Sequence, residues 1–178
     1  RLCRDWSSDV CSSDLALLAA FTIIFGSVRA LMQDDIKKRL AYSTISQLSY
    51  IVLGVAIGTP LAAAAAIAHL AHHAALKITM FFTAGTLAEE LGVYKVSQMD
   101  GVGRRMPLTM GAFTVAALGI IGVPPIAGFV TKWGLGIGGL DGGSFWPLAV
   151  LSLSSILSAI YFFPMIGRAW FGAPDPAW

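Results

Sequence analysis

His69, His73 and Lys77 recur at four-residue spacing in His69-Leu-Ala-His72-His73-Ala-Ala-Leu-Lys77. On a helix this spacing stacks the three on one face, with His72 about 100° away. Histidine changes charge near neutral pH, and a buried lysine can give up its proton. A file of such groups can pass a proton stepwise through intervening waters. A second lysine, Lys132, follows the break Gly122-Val-Pro124-Pro125 in Gly128-Phe-Val-Thr-Lys132. Both lysines stand deep inside apolar stretches. A cation at bilayer depth costs about 2.5–3.5 kcal/mol on insertion scales, so the residues that remain there usually face a bundle interior or a wet cavity and mark an ion or proton path.

Other chemistries fit these residues less well. Two histidines at i, i+4 can grip zinc, but no HExxH glutamate and no acidic or cysteine ligand stands nearby, so no metal is expected. The histidines could instead satisfy backbone or hydroxyl groups of neighbouring helices. Snorkelling competes as a reading of Lys132, but Gly134 to Gly143 still separate it from the far membrane face. The run from Tyr42 to Tyr50 adds Ser43, Ser46 and Gln47, which either bond across helices or hold water. Lys37, at the entrance of that run, is an anchor or the mouth of a polar path; Lys38 and Arg39 read as anchors. No nucleophile, carboxylate dyad, phosphate loop or redox ligand set is visible, so the chain itself carries no catalytic chemistry and calls for no cofactor.

Positioning these groups requires membrane helices. The 178 residues are 56% hydrophobic and 12% charged, with mean hydropathy +0.74, whereas soluble domains carry about 25% charge. A net charge of +2, with no basic run interleaved with aromatics, gives no sign of nucleic-acid binding. The sequence predicts an all-α, polytopic membrane protein with five spans: Ala16 to Met32, Leu40 to Ile57, Leu61 to Ala88, Pro107 to Leu140 and Phe145 to Phe163. Trp146 and Trp170 are expected as interface anchors. The fourth span is too long for one straight crossing, and the Pro124–Pro125 pair removes two backbone donors. It is expected to be a broken helix whose freed polar groups face protein or water, a device that often forms ion sites in transporters. A simple proline kink is the competing reading. With five spans, the loops on one face hold Lys37, Lys38, Arg39, Lys95, Arg104, Arg105 and Arg168, and those on the other hold no Lys or Arg. The positive-inside rule then places the Lys37 and Arg104 loops in the cytoplasm of a cell membrane.

Residues 1–15 are polar and lack this periodicity. In one reading frame a common sequencing-adapter ending translates to Asp-Val-Cys-Ser-Ser-Asp-Leu, matching Asp9 to Leu15. Residues 1–15 are therefore expected to be a non-native leader, 16–172 the transmembrane domain and 173–178 an interrupted tail. Both cysteines, Cys3 and Cys11, fall in the leader, so cysteine usage says nothing about redox compartment.

Three motifs in order carry a resemblance: Asp35-Ile-Lys37-Lys38-Arg39-Leu-Ala-Tyr-Ser-Thr-Ile-Ser-Gln47, the His/His/Lys helix, and Gly122-Val-Pro-Pro-Ile-Ala-Gly-Phe-Val-Thr-Lys132. Together they resemble the proton-antiporter-like membrane subunits of Mrp-type monovalent cation/proton antiporters, respiratory complex I and membrane-bound hydrogenases. The segments from His72 to Phe82 and from Met99 to Pro107 look most similar to the D-type branch of the Mrp-like proteins. The resemblance implies the second of two inverted five-helix repeats. In that repeat Lys77 would be the central-axis lysine, Lys132 the broken-helix lysine, and Lys37, His69 and His73 further members of the polar axis. It also implies proton or monovalent-cation translocation beside other integral membrane subunits, with sodium or potassium as possible partner ions. The alternative it leaves open is a proton-pumping component of an NADH–quinone oxidoreductase or hydrogenase complex.

Overall fold

The computed structural model of the protein describes residues 2–173, with side chains from residue 12 onward. Seven helices follow in order: α1 (Leu2–Leu31), α2 (Ile36–Ile57), α3 (Pro60–Leu91), α4 (Val102–Arg105), α5 (Pro107–Ile121), α6 (Ala127–Asp141) and α7 (Trp146–Phe171). A single 3₁₀ turn spans Val96–Gln98. Among the described residues the only strand-like pairing is an isolated bridge between Asp35 and Lys95. Residues Ser12–Leu31, α2, α3 and α7 are long and apolar enough to cross a membrane, and α5 is a shorter apolar helix. Cys3 and Cys11 lie outside the residues whose side chains are described.

Local chemistry sets the helix ends. The Asp35 carboxylate accepts from the Lys38 amide at 2.9 Å and caps α2. Thr59 accepts from the Ala62 amide and caps α3, with Pro60 at the first helical position, where its missing N–H costs nothing. Pro107 opens α5 in the same way, and Pro147 is the second residue of α7, still within the first turn.

The predicted fourth span is two helices. α5 and α6 have 15 residues each, about 22 Å of helix apiece, so neither alone fills a hydrocarbon core about 30 Å thick. α5 closes at Gly122, whose φ of 89° lies in the left-handed region that a residue with a Cβ avoids. The two halves then cross so closely at Gly119 and Gly128 that a Cβ on Gly128 would overlap the Gly119 carbonyl. At its other end α6 returns to the start of α3, where Thr59 Oγ1 donates to the Gly138 carbonyl at 3.0 Å.

The basic loops lie together at one end of the bundle. Asp34 accepts from the Ser97 amide and hydroxyl at 3.1 and 2.8 Å. The Gly101 amide donates to the Arg168 carbonyl, and Arg168 stands 3.9 Å from Asp100. The anchoring role expected of Arg39 needs correction. Lys37, Lys38 and Arg39 are helical residues of α2, and Arg39 is buried rather than an interfacial anchor. Its guanidinium donates to the Gln33 carbonyl through Nε and Nη2 and to the Tyr161 carbonyl through Nη1. Trp170 is likewise tied inward, donating to Thr114 Oγ1 at 3.0 Å.

The apolar core is split. One cluster, toward the basic end, contains Leu40, Met80, Phe113, Ile121 and Phe162. The other contains Ile23, Leu53, Ala66, Leu135 and Leu151. On every long helix the sequence passes from one cluster to the other through buried polar residues: Ser27 on α1, Ser43, Ser46 and Gln47 on α2, His69, His73 and Lys77 on α3, and Ser154 and Ser158 on α7. On α5 and α6 the same crossing is made by the helix break and Lys132. The bundle is therefore two apolar plugs with a polar layer between them.

Candidate functional site

The two lysines bound this layer. Lys77 Nζ donates to the Leu40 carbonyl at 3.0 Å and to Ser43 Oγ at 2.8 Å. It lies 5.8 Å from the centre of the Phe162 ring, within range of a cation–π contact. Lys132 reaches back from α6 to the end of α5, donating to the Ile120 and Ile121 carbonyls at 2.7 and 3.1 Å and to Ser155 Oγ at 3.1 Å. Those carbonyls belong to the last turn of α5, which leaves its acceptors without intrahelical partners and carries the negative end of the helix dipole. The break thus creates the site that holds the ammonium. Gly122 contributes as well: a Cβ there would press on Lys132 Cδ at 3.1 Å.

Between the lysines runs a line of rings. Lys132 Nζ lies 5.2 Å from the centre of the Tyr50 ring. Tyr50 stacks on His69 with centroids 5.4 Å apart, and His69 stacks on His73 at 6.0 Å with an interplanar angle of 10°. His73 and Lys77 follow one turn apart on the same face of α3. His69 Nδ1 lies 3.0 Å from Thr131 Oγ1, whose hydroxyl also reaches the Gly128 carbonyl at 3.1 Å, and this contact leaves Nε2 as the ring's other nitrogen.

That nitrogen has no protein partner. His69 Nε2, both ring nitrogens of His73, the Tyr50 hydroxyl and both ends of the Gln47 amide are buried without a protein hydrogen bond. Most buried polar groups are bonded to protein or ordered water, and an orphan costs about 1–3 kcal/mol. A cluster of them in contact is the environment in which bound water is stabilising. The line thus alternates fixed ammoniums with groups suited to exchanging protons with water.

A second polar set lies opposite the histidines, on α7. Tyr161 donates its hydroxyl to Ser43 Oγ at 2.9 Å, so Ser43 serves both Lys77 and Tyr161. Ser158 Oγ is 3.2 Å from the Tyr161 hydroxyl. Ser27, Ser46 and Ser154 bring three helices together, with Ser27 2.9 and 3.1 Å from the other two.

The residues singled out from sequence fall into groups. His69, His73, Lys77 and Lys132 join one buried line, Ser43 binds Lys77, Ser46 enters the serine cluster, and Gln47 lies in the layer. His72 is half-buried off the line, and its Nδ1 lacks a partner. Pro124 and Pro125 are exposed at the break. Lys37 is exposed at the basic end, where it lines a cavity of about 220 Å³ with Asp35, Ala84 and Tyr94, outside the line. Tyr50, Arg39, Ser155, Ser158 and Tyr161 were not expected as site residues. A signal for the α7 set existed: Ser154, Ser158 and Tyr161 follow at i, i+4 and i+7 in an otherwise apolar helix. Among the described residues no three His, Cys, Asp or Glu gather as a metal site.

The profile of the NADH:quinone oxidoreductase/Mrp antiporter transmembrane family matches residues 2–158. The chain belongs to this family. It is 47% identical over 163 residues to the N subunit of the NADH-quinone oxidoreductase of Desulforudis audaxviator, a match covering 91% of this chain and 32% of the relative. It is 35% identical to the D subunit of the Na(+)/H(+) antiporter of Bacillus subtilis, covering 79% of this chain and 28% of the relative. Among solved structures, a chain of the Mrp complex from Dietzia sp. DQ12-45-1b superposes with TM-score 0.89 at 30% identity, covering 93% of this chain and 31% of that one. A chain of the membrane-bound sulfane sulfur reductase, an archaeal respiratory membrane complex, gives 0.87 at 32%, covering 96% and 36%. The chain thus spans about a third of the length of its relatives, and those relatives are subunits of multi-subunit membrane assemblies.

Proposed function

We propose that this chain forms part of an antiporter-like subunit that translocates protons, in exchange with a monovalent cation where it serves an Mrp-type complex. The observation that carries this reading is the buried line Lys77–His73–His69–Tyr50–Lys132, with orphaned proton acceptors between two carbonyl-anchored ammoniums. In the mechanism, a proton leaving one lysine passes through waters held at His73 and His69. The change of charge at one end alters the preference of the other, since charges in a poorly screened interior act over many ångströms. The apolar plugs above and below prevent the layer from being an open pore, so loading and release must alternate. Lys37, at the basic end, is the proposed mouth of the path, and that end is proposed to face the cytoplasm of the cell membrane. The moving ions and the neighbouring membrane subunits belong to the full-length protein.

Two versions of this function stand equally. One is the D-type role in a cation/proton antiporter, favoured by the segments around His72 and Met99. The other is a proton-pumping component of a quinone-reducing or hydrogenase complex, favoured by the identity to an N-type relative. In that version the oxidoreductase chemistry is proposed to reside in other subunits of the complex. The test is proton movement by the full-length protein in vesicles carrying a pH-sensitive dye, driven in turn by an added sodium or potassium gradient and by the redox substrate of its complex. The reading expects Lys132→Ala to abolish the response with assembly intact; normal proton movement in that variant would overturn it. Whichever drive produces the response decides between the two versions.

A further inference from the structure

Arg39 and Ser43 stand one turn apart on α2, and both grip the same residue of α7. Arg39 Nη1 donates to the Tyr161 carbonyl at 3.0 Å, and the Tyr161 hydroxyl donates to Ser43 Oγ at 2.9 Å. Lys77, from α3, enters the same joint on the Leu40 carbonyl and Ser43 Oγ. All four residues are buried, and Tyr161 and Ser43 are fully so. Pro164 lies just beyond, inside α7. It cannot donate to the Ile160 carbonyl and crowds it, which loosens the turn where Arg39 reaches the chain.

The arrangement does more than tie helices together. A hydroxyl both donates and accepts. While Lys77 is an ammonium, Ser43 accepts from it and from Tyr161. Once Lys77 is an amine, Ser43 can rotate its own O–H toward the free lone pair while Tyr161 still donates to Ser43. The Tyr161 bond is thus compatible with both charge states and keeps Ser43 facing Lys77 in each. The one covalent change is the N–H bond that Lys77 loses as its proton passes to water on the His73 side; the electron pair stays on Nζ, and everything else is exchange of hydrogen bonds.

We propose that Tyr161 is a positioning residue for Lys77. Held by Arg39 at its carbonyl and acting through Ser43, it keeps one hydroxyl ready to accept from the protonated lysine and to donate to the neutral one. This rests on the reading of Lys77 as a proton-carrying residue.

The experiment uses the full-length protein with its partner subunits, comparing proton movement for wild type, Tyr161→Phe, Ser43→Ala, the double variant, Lys77→Ala and, as a hydroxyl-deletion control on α3, Thr86→Val. Phenylalanine keeps the ring that packs against Phe162 at 4.6 Å and removes only the hydroxyl. The expected result is a loss of about tenfold in rate for Ser43→Ala, matching one lost bond to a group that charges, and a similar loss for Tyr161→Phe, which acts on Lys77 only through Ser43. The double variant should fall no further than either single one. The pH midpoint of the activity should move in Tyr161→Phe and stay fixed in Thr86→Val. A Tyr161→Phe protein with the wild-type rate and pH profile would overturn the proposal while Lys77→Ala remained inactive. Multiplying losses in the double variant would also overturn it, because the two hydroxyls would then act separately. If Lys77→Ala itself kept full activity, it is the proton-carrying reading of Lys77 that fails.

Discussion

The Tyr50 ring stands between Lys132 and His69, with the ammonium of one over its π-system at 5.2 Å and the imidazole of the other stacked at 5.4 Å. This single side chain joins the broken helix to the histidine file. Its hydroxyl is buried within interacting range of Ser154, Ser155 and Gln47, though none of these contacts has the geometry of a well-formed hydrogen bond. Tyr50→Leu should therefore separate the two halves of the polar line, leaving a smaller apolar side chain in a fully buried site. The expected outcome is an assembled complex with impaired proton movement, while Tyr50→Phe, which keeps the ring, should be milder. Flux measured in vesicles beside a size-exclusion profile checks both.

His69→Phe and His73→Phe preserve the stacked geometry and cost little hydrogen bonding, since three of the four ring nitrogens have no protein partner. Stability should be nearly unchanged. Proton movement should fall about 100-fold, the lower range for loss of a positioned proton-transfer group. Flux and thermal unfolding in detergent, measured on the same preparations, separate the two effects.

Gly128→Ala should be far worse for folding than for chemistry. The added Cβ would collide with the Gly119 carbonyl, and backbone at a helix crossing cannot yield as a side-chain end can. Overpacking of this kind costs about 1–3 kcal/mol. A lower unfolding midpoint and reduced yield are expected, with no dependence on the driving ion.

Arg39 and Arg168 offer a contrast between buried and exposed cations. Arg39→Ala leaves the Gln33 and Tyr161 carbonyls without their donor and should cost about 2–3 kcal/mol. Lysine should restore only part of it, lacking the planar fork that serves two directions. Arg168 and Asp100 are half-exposed and 3.9 Å apart, so Arg168→Ala should cost less than about 1 kcal/mol. Chemical or thermal unfolding of the three variants tests the ordering.

Much of this architecture was legible in the residues. The Gly-Val-Pro-Pro punctuation announced the break between α5 and α6, and the four-residue spacing of His69, His73 and Lys77 placed them on one face. Their partners were harder to read. Arg39 sits in a basic run that looks like a membrane anchor, and only the approach of α7 turns it inward. The α7 hydroxyls give a weak signal because serine is tolerated in membrane helices through bonds to its own backbone, as Ser152 shows with the Leu148 carbonyl. Which serines instead face a neighbour depends on how the helices rotate against each other. Tyr50 is legible only as the last hydroxyl of the polar run that starts at Tyr42, since its place between Lys132 and His69 exists only once α2, α3 and α6 have met.

The central claim is that the two buried ammoniums and the groups between them carry protons. The most direct test is proton flux through the full-length protein with Lys77→Ala, assembled with its partners and compared with wild type in the same vesicles. The account predicts that flux is lost while assembly and helix content are kept. Flux at the wild-type level in a correctly assembled Lys77→Ala protein would contradict it.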